Sequence, residues 1–253
     1  MGSTRLPGKA MKIIDNKTIL NHIIDQLSYS KFLKKIVIAT SKNKNDDIIQ
    51  NHSSEMEIPC FRGKLHDVLD RHYQCAKFFS FDPIVRIPSD KPLIDPLIVD
   101  QVIKKFYLDK PDYISNFIYP LKYNIGTEVE VFSFDALEKA SKLAKKSSDR
   151  EHIFPFFHNH KKNFKINFVS NLDDIKHLRF PLDRVEDLKL ITKIFSSIKK
   201  RPVLKHDILN LHNKNPNLFS INKDIDPNEG QSVRLNSYNK IDAENGDLNS
   251  DEI

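Results

Sequence analysis

Several things are scarce in this 253-residue chain, and each scarcity removes a class of protein. There are two cysteines, Cys60 and Cys75, and no CxxC pair. Two cysteines cannot make a disulfide framework. They are expected to be reduced, half-buried residues of a cytoplasmic protein. No apolar run approaches the ~20 residues of a membrane span. No signal peptide is expected ahead of a start that opens on a polar, glycine-containing stretch. No basic-aromatic motif of a nucleic-acid reader occurs, so nucleic acid is not an expected partner. There are only six glycines, and two of them, Gly2 and Gly8, fall in the first nine residues. They are not a Walker A loop. Five residues lie between them rather than four, and Ala10 follows Lys9 where that loop needs a Ser or Thr hydroxyl for magnesium. A P-loop kinase is excluded, and any metal must be held elsewhere in the chain.

What is present points to an anionic ligand. The formal net charge is +6, which suits nucleotides without requiring them. The opening run Met1-Gly-Ser-Thr-Arg-Leu-Pro-Gly-Lys9 joins tight-turning glycines to two hydroxyls (Ser3, Thr4), a guanidinium fork (Arg5) and an ammonium (Lys9). Backbone N–H groups brought close together in such a loop suit a polyphosphate. A solvated basic N-terminus is the plainer reading of the same residues.

Beyond the loop, strands and helices alternate. Thr18 to Leu27 carries apolar residues at 19, 20, 23, 24 and 27, the spacing of one helical face. Short β-branched runs at 35–40, 58–62 and 83–87 read as buried strands, with helices expected from Asp46, over 65–79 and over 97–106. Further strands are expected at 112–116, within 123–133 and at 163–169. Further helices are expected over 134–146, 189–199 and 206–211, the last two lying on the surface. This alternation predicts an α/β fold with a mostly parallel sheet and helices on both faces, in one domain over residues 1–222. The Asn/Asp/Glu/Ser-rich stretch 223–253 is expected to be a disordered tail.

In parallel sheets ligands gather at the carboxyl ends of strands. Asp90 follows the third strand and could hold Mg²⁺ against phosphates. Asp95, with Pro96 after it, reads as a helix cap. Glu128 and Glu130 share a strand face and could bind a metal or a sugar hydroxyl, or could face water. His152 sits at a helix start, where a structural role is the commoner one. Asp183 precedes another helix and reads as a metal ligand or as that helix's cap, while Glu186 and Asp187 fit the first turn with no further role.

Several of these blocks together resemble the cytidylyltransferases that make CMP-activated sugars. The opening run is similar to their Arg-x-x-Ser-x-Arg-Leu-Pro-x-Lys loop, above all in the spore-coat polysaccharide branch related to the CMP-sialate and CMP-ketodeoxyoctonate synthetases. Arg62-Gly63 with Asp67-Val-Leu-Asp-Arg71, Pro88 to Pro96, Gly126 to Ser133, Asp149-Arg-Glu-His152 and Leu178 to Leu188 follow in family order. The resemblance implies a three-layer α/β/α, Rossmann-like nucleotidyltransferase fold. It implies a cytoplasmic homodimer that joins CTP and a sugar, expected to be a sugar acid, into a CMP-sugar for surface polysaccharide, releasing pyrophosphate. It assigns Arg5 and Lys9, with the backbone of Gly2, Ser3 and Thr4, to the phosphates, and Arg62 to the nucleotide near its base. Asp90 and Asp183 are assigned to Mg²⁺, and Glu128, Glu130 and His152 to the sugar side. Ser89 stands where the family has Gly, and Lys91 where it has Cys. The chain opens at the Met of the family signature, without the first strand and leading arginine. The expectation is a start assigned too late; the alternative is a non-catalytic relative that binds nucleotide or a protein partner.

Overall fold

A computed structural model describes residues 1–117, 126–151, 153–169 and 178–226. Their order is β1 (Ile13–Ile14), β2 (Lys17–Thr18), α1 (Ile19–Leu27), β3 (Ile38–Ser41), α2 (Asp47–Glu55), β4 (Cys60–Gly63), α3 (Val68–Phe79), β5 (Ile84–Arg86) and α4 (Pro96–Asp109). Then come β6 (Tyr113–Ser115), β7 (Glu130–Phe132), α5 (Phe134–Leu143), α6 (Ser147–Glu151), α7 (Ile153–Asn159), β8 (Ile166–Phe168), α8 (Val185–Ser197) and α9 (Lys205–Lys214). The expected alternation of strands and helices is therefore present, with boundaries shifted by a few residues. Among the described residues no helix is long and apolar enough to cross a membrane.

The described residues gather into two compact units. One is drawn from Met1–Ile36, Val85–Val131 and Asn167–Pro227, the other from Val37–Ile84 and Phe132–Ile166. In the first, Asp15 and Asn16 turn the chain at φ 46° and 61°, which closes the antiparallel pair β1–β2. Thr18 and Asn21 cap α1 reciprocally: Asn21 N donates to Thr18 Oγ1 at 3.1 Å and Thr18 N donates to Asn21 Oδ1 at 3.3 Å. Ile19, Leu20, Ile23 and Leu27 then face inward, as their spacing predicts. Asp95 caps α4 by accepting from Leu97 N at 2.7 Å, with Pro96 at the first helical position. The core of this unit runs from Leu6 and Ile14 through Leu93, Val102 and Val129 to Leu182, Ile191 and Phe195. Helix α8 is thus not a surface helix throughout. Leu190, Ile191, Ile194 and Phe195 recur on one face and are buried, and that face is the price of a continuous core.

Strands β5, β7, β6 and β8 form a four-stranded sheet in that order. In the second unit β3 and β4 run parallel, from Ile38 opposite Cys60 to Ser41 opposite Gly63. Gly63 is glycine for a spatial reason: a Cβ there would lie 2.7 Å from Cγ of Arg71. Arg71 donates to the carbonyls of Lys64 and Leu65 at 2.7 and 3.2 Å, closing the loop before α3. The aromatic run 153–157 fills this unit's own core. Phe156 and Phe157 are fully buried, and Phe157 packs on Phe132 and Phe164 at ring separations of 5.2 and 4.7 Å. Cys60 and Cys75 are free, as expected, and burial pushes the Cys75 thiol up to about 11. The expected tail falls on residues 223–253, of which 227–253 lie outside the described residues; Ile225 N donates to Asn222 O at 3.2 Å.

His158 on α7 is buried, and that burial, with Lys161 nearby, lowers its pKa from 6.5 to about 4. Between those values the unfolded chain binds a proton that the folded chain refuses, so stability falls as pH falls through that window. Denaturant titrations at pH 7 and pH 4 should show the native protein losing about 3 kcal/mol more than a His158→Gln variant over this interval. Equal losses in the two proteins would show that His158 titrates normally in the fold.

Candidate active site

The opening loop is anchored by two apolar side chains, Leu6 and Ala10, both buried in the first unit. Gly8 sits at φ 67°, a left-handed conformation that costs glycine little, and starts a 3-10 turn over Lys9–Met11. Ser3 Oγ accepts from Leu6 N at 3.3 Å, so its hydroxyl shapes the loop. Gly2 stands in open space, where an added Cβ would meet nothing within 4 Å.

With the loop so held, its two cations reach two carboxylates from distant parts of the chain. Lys9 Nζ lies 3.0 Å from Asp90 Oδ2 and 2.9 Å from Asp183 Oδ1. Arg5 Nη2 lies 3.0 Å from Asp183 Oδ2. Asp90 is positioned by the turn after β5, which Leu93 and Ile94 pin into the core. Leu182 N donates to Asp90 O at 2.9 Å, tying the two acidic loops together through their backbones. Burial alone would lower the Lys9 pKa, but the Asp90 and Asp183 carboxylates outweigh it and hold Lys9 above its ordinary value. Burial would likewise raise Asp183, yet Lys9 and Arg5 outweigh both burial and the like charge of Asp90, so Asp183 is held below the usual carboxylate range.

Asp183 is not the cap of α8. Arg184 occupies that position, and Asp187 supplies the capping oxygen, accepting from Asp183 N at 3.0 Å and Arg184 N at 2.9 Å. Asp187 is therefore more than the generic first-turn acid that its position predicts. It is fully buried and takes a two-pronged contact from Arg179, Nε at 3.1 Å and Nη2 at 3.2 Å, while Asn222 donates to it at 2.9 Å. Arg179 also reaches Asp183 Oδ2 at 3.4 Å. Arg179 and Asp187 were missed because helix-start carboxylates are common; an arginine eight residues before such an acid was the available signal.

The two glutamates of the β7 region part ways, although sequence spacing put them on one face. Glu128 pairs with Lys91 at 2.9 Å and accepts from Gly126 N at 2.7 Å. Lys91 is also 3.7 Å from Asp90 Oδ1, which links Glu128 to the carboxylate pair. Gly126 is at φ 116°, and a Cβ there would fall 2.6 Å from Phe180, so this turn admits only glycine. Glu130 instead points into the interior, where Arg86 donates to one of its oxygens and Tyr113 Oη to the other at 3.2 Å. His152 lies outside the described residues. Arg62 sits on β4 in the second unit, donating to Ser41 O, Asn43 O, Asp47 and Gln50 at 2.6–2.8 Å. Beside it Gly63, Lys64 and His66 help line a cleft of about 570 Å³, which Arg150 also borders while bound to Asp67 at 2.8 Å.

The carboxylate pair fits a divalent ion. Asp90 and Asp183 converge on one cationic position, now taken by an ammonium, and both offer oxygen, the donor a hard cation prefers. No group of three or more metal-type side chains occurs among the described residues. Such an ion would therefore complete its shell with phosphate oxygens and water.

Comparison with known proteins matches the cytidylyltransferase family model over residues 1–225. The chain belongs to the cytidylyltransferase family. Its relatives include a protein named as uncharacterised from Methanocaldococcus jannaschii, 33% identical over 95% of each chain. The spore coat polysaccharide biosynthesis protein SpsF of Bacillus subtilis is 29% identical over 85% of this chain and 92% of its own. A 3-deoxy-manno-octulosonate cytidylyltransferase of Trichlorobacter lovleyi is 30% identical over 42% of this chain and 41% of its own. Among solved structures, a cytidylyltransferase from Leptospira borgpetersenii superposes with a TM-score of 0.82 at 29% identity, covering 87% of this chain and 92% of that one. This cytidylyltransferase thus has the nucleotidyltransferase fold that its motifs implied, and it is a nucleotidyltransferase by family.

The Arg86–Glu130 pair yields a stability test. Replacing Arg86 with Met leaves a buried carboxylate without its cation and should cost about 3 kcal/mol in urea denaturation. Adding Glu130→Gln to that variant should recover a large part of the loss. An uncoupled double-mutant cycle would mean the pair contributes nothing as a unit.

Proposed function

We propose that this cytidylyltransferase transfers CMP from CTP to a sugar acid, releasing pyrophosphate, in the synthesis of a surface polysaccharide. The observation that carries this reading is the convergence of Lys9 and Arg5, from a glycine-containing loop, on the Asp90–Asp183 pair. The sugar-acid class is supported by the kinship with 3-deoxy-manno-octulosonate cytidylyltransferases, and the polysaccharide by the kinship with SpsF.

In the reaction a sugar hydroxyl attacks the α-phosphate of CTP. A new O–P bond forms, the bond from that phosphorus to the bridging oxygen breaks, the hydroxyl proton leaves to solvent or a base, and pyrophosphate departs. Negative charge builds on the leaving oxygens, so catalysis is chiefly placement of positive charge. Arg5 and Lys9, with the backbone N–H groups of Gly2, Ser3 and Thr4, take the β- and γ-phosphates. Asp90 and Asp183 hold the divalent ion, proposed as Mg²⁺, which neutralises phosphate charge and polarises the α-phosphate when bound. Glu128, steadied by Lys91 and Gly126, serves the sugar side. Glu130 serves it through the Arg86–Tyr113 contact that stiffens the same stretch. Arg62 and His152 are assigned to nucleotide and sugar by family position alone. A homodimeric cytoplasmic state belongs to the same proposal.

The test is pyrophosphate release with Mg²⁺, each of the four common NTPs and a panel of sugar acids. CTP-specific, sugar-dependent release is expected. The Asp90→Asn variant should keep its circular dichroism spectrum and lose turnover by about 10²–10³-fold or more. A near-normal rate in that variant would overturn the metal assignment, and release indifferent to the base would overturn the choice of CTP.

A further inference from the structure

The carboxylates proposed to hold a divalent ion are already matched by the chain's own cations. Asp90 has Lys9 on one oxygen and Lys91 near the other, at 3.0 and 3.7 Å. Asp183 has Lys9 on one oxygen at 2.9 Å, with Arg5 and Arg179 on the other at 3.0 and 3.4 Å. Lys91 and Arg179 also face Glu128 and Asp187. Among the described residues the ion-pair cluster therefore sets Arg5, Lys9, Lys91 and Arg179 against Asp90, Glu128, Asp183 and Asp187, and the charges cancel. A lone divalent ion entering this cluster would have to displace an ammonium, adding two charges for the one removed and leaving one positive charge in excess. A triphosphate changes both terms: it offers Lys9 and Arg5 new acceptors, and it supplies the negative charge that the ion requires.

The parts also differ in how they are held. Asp183 is fixed by its own backbone N–H on Asp187 and by Arg179, and Asp90 by the backbone bond from Leu182. Those ties do not involve Lys9. The ammonium of Lys9 is held by the two carboxylates, on a four-carbon stem that follows the left-handed Gly8. The lysine is the movable part and the carboxylate pair the fixed one.

Building on the nucleotide-transfer reading, we infer that Lys9 is an internal counter-ion lock. In the nucleotide-free protein its ammonium occupies the cation position between Asp90 and Asp183. A divalent ion gains that position only together with the triphosphate, to which Lys9 moves. Metal and nucleotide binding are then coupled, and the coupling runs equally in both directions. The lock keeps the site from being filled by free divalent ions, and it keeps two buried carboxylates from facing one another without a cation.

The experiment measures Mn²⁺ binding to the full chain without nucleotide, from the electron paramagnetic resonance signal of free Mn²⁺. The wild-type chain should show no saturable tight site. Lys9→Met, which keeps the stem and removes the charge, should bind Mn²⁺ roughly tenfold tighter or more. Adding Asp183→Asn should abolish that gain. Tight saturable binding by the wild-type chain alone would overturn the lock even if the variant fails to fold. So would a folded Lys9→Met chain that binds Mn²⁺ no better than wild type. Either result, alongside CTP-specific, sugar-dependent pyrophosphate release by the wild-type chain, would sink the lock and leave the transfer reading standing, whereas the absence of that release would sink the transfer reading itself.

Discussion

Asp183 sits where three cations and one backbone tie meet, and most of the candidate site hangs on keeping it charged and still. A buried carboxylate is costly unless it is paired and hydrogen-bonded. Here Lys9 and Arg5 approach from the opening loop, while Arg179 and Asp187 hold the residue from behind. Asp187 does double duty, since the same oxygen that accepts from Asp183 N also accepts from Arg184 N and starts α8. The helix that closes the core of this unit and the carboxylate that faces the ligand therefore share one anchor. A change at either end is transmitted to the other through a fully buried group.

The same logic separates the two glutamates. Glu128 is joined through Lys91 to Asp90 and belongs to the charged cluster. Glu130, two residues on, is drawn inward by Arg86 and Tyr113 and stabilises the sheet. Lys91 becomes the bridge between the acid proposed for the ion and the acid proposed for the sugar. Its charge explains how Asp90 and Glu128 can lie in one buried cluster, because each shares a cation with the other.

Much of the fold was readable from local pattern. The apolar spacing of α1, the Asp95-Pro96 start of α4 and the β-branched runs of β3 and β5 all use short-range rules, and all hold. What local pattern leaves open is context. The apolar face of α8 buries Leu190 and Ile194, and the aromatic run of α7 packs on Phe132 and Phe164 inside its own unit. Neither fact follows from the segment itself, since an amphipathic helix shows which face is apolar and not what will cover it.

For the site, the sequence by itself determined the chemical vocabulary. It held a glycine loop with Arg5 and Lys9, acids at strand ends, and an order of blocks that marked the cytidylyltransferase family. Those features are legible because turn chemistry, charge and spacing are local. Only the tertiary structure decided that Lys9 spans Asp90 and Asp183, 81 and 174 residues away, and that Asp187 holds Asp183 from below. It also decided that Glu128 and Glu130 serve different neighbours. The physical reason is that ion pairs form between side chains brought together by burial of Leu93, Ile94, Leu182 and their neighbours, and the core sets those distances. A charge in a sequence has a sign, but it acquires a partner only when the apolar residues around it have packed.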